Sequence, residues 1–301
     1  MIKDVWTIKR VLEWTTQYFK KEKIENPRLN AEVLLAHILR KTRLELYLEF
    51  SRPLSLGELT LFKKLIIKRS HHVPLSYLTG EQDFMGLRLK IDENVYIPRP
   101  ETEILVEETL KLVRSIDFEE GKTSQDFIIV DLGTGSGNIA IKLALELEKS
   151  KVYAVDISPE ALGVARENAR MHNLNKRITF LEGDLFIPLV DLGLEGRVDL
   201  IISNPPYVTG EEIKSLPPEV LREPRIALEG GGDGLAIYRK IISQSPGFLR
   251  KAGFLALEIG HRQARRIQDL ILAQKELYSP QVISDYEGIE RIILVRKADS
   301  G

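Results

Sequence analysis

Apolar residues in the first 75 positions recur at helical spacing. Val11, Leu12, Trp14 and Tyr18-Phe19 form one stripe, Val33-Leu34-Leu35 with Ile38 and Leu39 form another after Pro27, and Leu56 to Ile67 form a third. Short connections between them predict a small helical bundle over residues 1–75. The pattern then changes. Over residues 76–97, Gly80 and Gly86 bracket Phe84, and Leu87, Leu89 and Ile91 alternate with polar residues, which predicts a β-hairpin serving as a linker.

Residues 98–301 form the third region, and from about residue 100 strand and helix patterns alternate. Ile128-Ile129-Val130, Val152–Val155, Ile178–Leu181, Leu200-Ile201-Ile202 and Phe254–Leu257 read as strands, with helices over 138–149, 159–172 and 235–249 between them. Val282-Ile283 and Ile292–Val295 flank Asp285–Arg291 as a closing hairpin. This order predicts an α/β fold: a doubly wound, mostly parallel seven-stranded sheet whose last pair runs antiparallel.

Composition narrows the chemistry. The chain of 301 residues is long enough for two cores. It has no cysteine, which excludes disulfides, thiolate metal sites and a cysteine nucleophile, and fits a cytoplasmic protein. His37, His71, His72, His172 and His261 show no ligand spacing, so no metal site is expected. No run approaches the roughly 18 to 20 apolar residues of a membrane span. The net charge of −1 conceals an asymmetry: residues 1–75 hold 15 Lys/Arg against 8 Asp/Glu. A basic module of this kind docks an acidic or nucleic-acid partner, or is simply a solvated set of helix faces.

Candidate chemistry gathers at the strand ends. The first strand runs into Gly133-Thr134-Gly135-Ser136-Gly137-Asn138, where glycines at a strand-to-helix turn let a cofactor approach the backbone. The spacing is not the dinucleotide Gly-x-Gly-x-x-Gly. Asp156, 25 positions after Asp131, closes the second strand, where a carboxylate can accept from both ribose hydroxyls. Asp184, followed by Leu185 after the third strand, is placed to accept from an adenine amino group. Each acid alone also reads as a helix cap. Together they fit an adenosine cofactor without a pyrophosphate, S-adenosylmethionine, with S-adenosylhomocysteine as product. The fourth strand stops at Asn204-Pro205-Pro206-Tyr207, because neither proline can donate to a sheet ladder. The stiff loop offers an amide, carbonyls and an aromatic ring, the groups that hold a planar nitrogen.

In chain order these features resemble the class I S-adenosylmethionine-dependent methyltransferases, with their Rossmann-like sheet. Within them the chain is similar to the PrmC/HemK family, the protein-(glutamine-N5) methyltransferases that modify peptide chain release factors. Arg28–Ala36 resembles the family's N-terminal helix signature, although Asn30 stands where Asp is commoner. Pro74, Tyr77, Gly80, Phe84 and Gly86, then Ile97–Glu103, Glu223-Pro224, Ala227–Gly231, Asp233-Gly234-Leu235 and Leu257-Glu258-Ile259-Gly260, continue the match, which ends with Asp285, Gly288 and Arg291 and covers roughly residues 28–296. The resemblance implies class I release factors as substrate, met by the N-terminal module, with a monomeric enzyme and neither a nucleic-acid substrate nor a membrane. Relatives that methylate a ribosomal-protein glutamine share the tetrapeptide but differ at Pro100–Glu103. An adenine-N6 methyltransferase on DNA or RNA, which uses a similar loop, and a non-catalytic binding protein are the alternatives.

In the expected mechanism, the Asn204 side-chain oxygen and the Pro205 carbonyl accept the two amide hydrogens, and Tyr207 packs against the amide plane. Pro206 completes the substrate loop, and Asn204 also touches the cofactor. Phe84 and Pro98–Glu103 are expected as a cofactor lid, with interdomain core as the alternative for Phe84. Glu258 reads as a strand end, with a place at the site mouth as the alternative.

Overall fold

The computed structural model describes residues 5–120 and 127–299, with the side chains of 116–120 left out. They form two compact units. One comprises residues 5–81 with Pro217–Arg222; the other comprises 82–216 and the residues from 223 onward.

The first unit is helical: α1 (Ile8–Lys21), α2 (Pro27–Leu39), α3 (Arg43–Leu48), α4 (Leu56–Ser70) and α5 (Leu75–Thr79). Hydroxyl caps set the starts of α1, α3 and α4. Thr42 with Glu45 and Ser55 with Glu58 form reciprocal capping boxes, each satisfying two amides that the first turn leaves without partners. The three expected stripes are α1, α2 and α4, and they bury Leu12, Phe19, Leu34, Leu35 and Phe62 in a common core. Asn30 explains its departure from the family pattern. Its Oδ1 accepts from Arg69 Nε at 2.6 Å, while its Nδ2 donates to the Glu25 and Asn26 carbonyls, which an aspartate could not do. Glu219 joins this unit through an ion pair with the same Arg69, at 2.8 Å.

The second unit opens with the hairpin β1 (Glu81–Phe84) and β2 (Leu87–Lys90), then α6 (Pro100–Glu120). The helix α6 was not among the expected elements. Its apolar positions Leu105, Val106, Leu110 and Val113 are buried, but acidic residues dilute the stripe. The hairpin also differs from the expected linker, since from residue 82 it packs as part of this unit. The fully buried Asn168 brackets Lys90, accepting from its N–H at 2.6 Å and donating to its carbonyl at 3.0 Å.

Then follow β3 (Ile128–Leu132), α7 (Asn138–Glu146), β4 (Lys151–Asp156), α8 (Pro159–Met171), β5 (Ile178–Glu182), α9 (Ile187–Val190), β6 (Val198–Ser203), α10 (Gly210–Ile213), α11 (Ala236–Phe248), β7 (Leu249–Glu258), α12 (Ala264–Leu272), β8 (Leu277–Ser284) and β9 (Glu290–Lys297). The seven-stranded sheet has the order β5-β4-β3-β6-β7-β9-β8. Strands β3 to β7 pair in parallel, and β9 is antiparallel to both β7 and β8. The inner strands β3 and β6 read as largely apolar runs because they are covered on both faces. All six residues of β6 are buried. The chain first winds outward from β3 to β5, then returns to place β6 on the other side of β3. That reversal makes the carboxyl ends of β3 and β6 the topological switch point, the crevice where such sheets bind ligands. Among the described residues, no helix is long and apolar enough to cross a membrane.

Candidate active site

Leu132 and Ser203 are register partners at the ends of β3 and β6, and the Ser203 hydroxyl donates to the Leu132 carbonyl at 2.7 Å. The glycine loop and the Asn204 tetrapeptide therefore leave the sheet side by side. Above them lies a cavity of about 330 Å³, a size suited to a small-molecule cofactor.

Of the residues expected to hold a cofactor, Gly133, Thr134, Gly135, Ser136, Asp156, Asp184, Leu185 and Asn204 line this cavity. Gly133 and Gly135 have φ of +72° and +54°, and a Cβ on either would meet no protein atom within 4 Å. The loop is thus an open cradle in a conformation that side chains disfavour. Gly137 does something else. It lies outside the lining, and a Cβ there would meet the Ala165 Cβ at 3.1 Å, so its absent side chain lets α7 and α8 approach each other. Asp156 braces the cradle, accepting from Gly135 N at 2.8 Å and from Ser158 N at 3.0 Å, and burial raises its pKa. Beneath the loop the fully buried Asp131 accepts from the Thr134 hydroxyl at 2.6 Å, and burial pushes its carboxyl up to about 7. Asp184 pairs with Lys240 at 2.8 Å, and Leu185 holds a φ of +52°, rare for a branched side chain. The open cradle, the strand-end carboxylates and the apolar flank of Ile157 and Leu185 are the groups that could hold a small-molecule cofactor here.

Asn204, Pro205, Pro206 and Tyr207 line the same cavity. Their loop is held from behind. Gln263 Nε2 donates to the Tyr207 carbonyl at 3.0 Å while its Oε1 accepts from Gly260 N at 3.1 Å, and Val208 bonds to Leu228 and Gly230. A Cβ on Gly230 would fall 2.7 Å from the Pro206 carbonyl oxygen, so only glycine fits against the tetrapeptide. Burial raises the pKa of the Tyr207 phenol well above its ordinary value, so this ring stays neutral.

Other segments close in. The Glu223 carboxylate takes the Ile97 N–H at 3.0 Å and pairs with Arg99, tying the start of α6 to the strap whose Pro224, Ile226, Ala227 and Leu228 line the cavity. Pro98 and Thr102 line it too, as the entrance to α6. Phe84 does not. It is fully buried, outside the lining. The sequence reading missed Gln263 and Asn168 as site-shaping residues, and it placed Thr102 only within the Pro98–Glu103 lid segment, without its bond to Asn204. Each acts on a partner 32 or more positions away, a relation that spacing does not carry. Glu258 ends β7 as expected and is fully buried. Among the described residues, no group of three or more His, Asp or Glu stands together to hold a metal ion.

Comparison with known proteins agrees with this geometry. Residues 10–80 match the family described as PrmC N-terminal domain, and residues 112–254 match the methyltransferase small domain. The release factor glutamine methyltransferase of Geobacter sulfurreducens is 38% identical over 291 residues, covering 96% of each chain. That of Moorella thermoacetica is 41% identical, covering 92% of this chain and 93% of its own. This chain belongs to the release factor glutamine methyltransferase family. The relative of the same name in Bacillus subtilis is 37% identical over 95% of this chain and 96% of its own. Solved structures add the fold alone. The catalytic domain of hMettl16 superposes with a TM-score of 0.55 at 16% identity, covering 83% of this chain and 85% of that one. A methyltransferase from Pyrococcus furiosus gives 0.51 at 18% identity, covering 71% and 91%.

Proposed function

We propose that this protein transfers a methyl group from S-adenosylmethionine to the side-chain amide nitrogen of a glutamine in a class I peptide chain release factor. One observation carries the reading: the glycine cradle and Asn204-Pro205-Pro206-Tyr207 leave adjacent, register-paired strand ends and line one cavity. Family membership supports the choice of substrate.

Gly133 to Ser136, Asp156, Asp184 and Leu185 would hold the cofactor, Asp156 toward a ribose and Asp184 toward an adenine amino group. When bound, S-adenosylmethionine supplies an electrophilic methyl carbon on a sulfonium and departs as S-adenosylhomocysteine. A glutamine amide is a weak nucleophile because its nitrogen lone pair is delocalised into the carbonyl. Asn204 Oδ1 and the Pro205 carbonyl accept its two hydrogens, which orients the nitrogen and shifts electron density onto it. Tyr207, neutral and half-buried, covers the amide plane and excludes water. A dry, preorganised site favours a reaction that disperses charge. The rigid backing of the loop by Gln263 and Gly230 serves this positioning.

The first unit supplies the docking surface. Lys63, Lys64 and Lys68 of α4 are exposed and form no ion pairs among the described residues, which suits an acidic face on the protein substrate.

The direct test incubates the protein with methyl-labelled S-adenosylmethionine and, in separate reactions, a class I release factor, a ribosomal protein and duplex DNA, followed by mapping by mass spectrometry. A single label on a release-factor glutamine is the expected result. Label on DNA alone would overturn the reading.

A further inference from the structure

An asparagine side chain is nearly symmetric in shape, so packing alone does not decide which end, Oδ1 or Nδ2, faces a substrate. Hydrogen-bond polarity decides it. Asn204 Nδ2 donates to Thr102 Oγ1 at 3.1 Å, and Thr102 Oγ1 donates to Glu258 Oε2 at 2.7 Å. Thr102 sits in the first turn of α6, and Glu258 ends β7 one step beyond Leu257, the register partner of Ser203. Both side chains are 2% exposed. The Tyr238 hydroxyl fixes the Glu258 backbone by donating to its carbonyl at 2.8 Å.

We propose that Glu258 and Thr102 are positioning residues, a polarity relay that turns the Asn204 amide so that Oδ1 faces the substrate nitrogen. The proposal rests on the reading that Asn204 accepts a hydrogen from that nitrogen. The logic is one of donors and acceptors. An ionised carboxylate only accepts. The single Thr102 hydrogen is therefore spent on Glu258, and the Thr102 oxygen is left to accept. Only the NH₂ end of Asn204 can supply that bond, so its oxygen points the other way. With the opposite polarity, two NH₂ groups would confront each other and the substrate would lose an acceptor. A fully buried glutamate is costly compared with an apolar residue, and directing Asn204 gives it a purpose.

The same relay makes the site sensitive to pH. Burial pushes the Glu258 carboxyl up to about 7, with Glu101 adding repulsion and with Thr102, Arg291 and Asn204 opposing the rise. The phenols of Tyr96, Tyr207 and Tyr238 face it as well, and their own pKa values are raised, so they stay neutral. Above that pH the carboxylate accepts and the relay holds the productive orientation. Below it, protonated Glu258 can donate to Thr102, whose hydroxyl can then donate to Asn204 Oδ1. Turnover therefore falls as pH drops through about 7.

The test compares wild type with Thr102→Val, Thr102→Ser and Glu258→Gln, using release-factor methylation, calorimetry with S-adenosylmethionine, and the ¹⁵N-resolved side-chain NH₂ signals of Asn204. Thr102→Val should lower kcat ~30- to 100-fold with cofactor affinity within about threefold, and Thr102→Ser, which keeps the hydroxyl, should rescue it to within about fivefold. Glu258→Gln should abolish the fall in kcat between about pH 8 and pH 6. The Asn204 NH₂ signals should shift in Thr102→Val, which tests the relay without substrate. Unmoved signals, or a kcat for Thr102→Val within about twofold of wild type, would overturn the proposal. Should Thr102→Val fail to fold, a flat wild-type profile across that pH range would overturn it. A relay that reports in the NH₂ signals while wild type methylates no glutamine would refute the proposed function and leave the relay standing.

Discussion

Asn204 and Asp156 line one cavity, and the proposed function gives them different partners, so their removal should separate binding from turnover. Asp156 accepts two backbone N–H groups around the cradle, and its carboxylate is the ribose-binding candidate. Asp156→Ala should weaken S-adenosylmethionine ~10- to 100-fold in calorimetry, the range for losing hydrogen bonds to a charged group. Asn204→Ala should leave that affinity within about threefold and lower kcat by ~10² to 10³, as expected when a preorganised polar contact to the reacting group is removed. Near-normal turnover in Asn204→Ala would remove the asparagine from the chemistry. At this scale the sequence is readable wherever chemistry forces a residue type. Two prolines must end a strand, and Gly133 and Gly135 must take positive φ. Gly137 shows the limit: as part of a glycine motif it looks like cofactor cradle, yet its bare Cα serves contact with Ala165.

At the scale of elements, the inner strands β3 and β6 were readable because burial on both faces leaves few polar positions to blur the run, whereas α6 hides its apolar stripe among acids. The hairpin was visible but its attachment was not. Asn168 on α8 makes that attachment, bonding to Lys90 on one side and, through Nδ2, to the Ser136 carbonyl of the cradle at 2.9 Å. One buried amide, 78 positions from Lys90 and 32 from Ser136, thus ties the hairpin to the glycine loop. Asn168→Ala leaves part-buried Lys90 and buried Ser136 backbone groups unpaired and should cost about 2–4 kcal/mol, read as a lower urea midpoint with unchanged slope. Because Ser136 is part of the cradle, the same variant should bind S-adenosylmethionine more weakly. A purely structural tie would lower the midpoint and spare the affinity of the folded protein.

Over the whole molecule, the doubly wound order turns separated segments into one site: Thr102, Asn204 and Glu258 meet only because β3, β6 and β7 are neighbours and α6 enters beside them. Alternating elements predict a doubly wound sheet with acids at its strand ends, but which side chains touch at the switch point cannot be read from them, and the contact of Thr102 with Asn204 and Glu258 stayed hidden. Charge is the other property of the whole chain, and its asymmetry was visible by counting. The basic excess lies in the helical unit, where Lys63, Lys64 and Lys68 share α4 and point to solvent. If this surface steers a release factor, reversing the three charges to glutamate should lower kcat/KM for the whole factor ~10-fold or more at low salt while kcat at saturation holds. The loss should shrink as salt rises toward about 0.5 M, where the screening length falls to a few ångströms. A short peptide carrying the target glutamine lacks the acidic face that the three lysines would meet and should be methylated equally by both proteins. Equal kcat/KM for the whole factor at low salt would assign the lysines to solvation and move substrate docking to another surface.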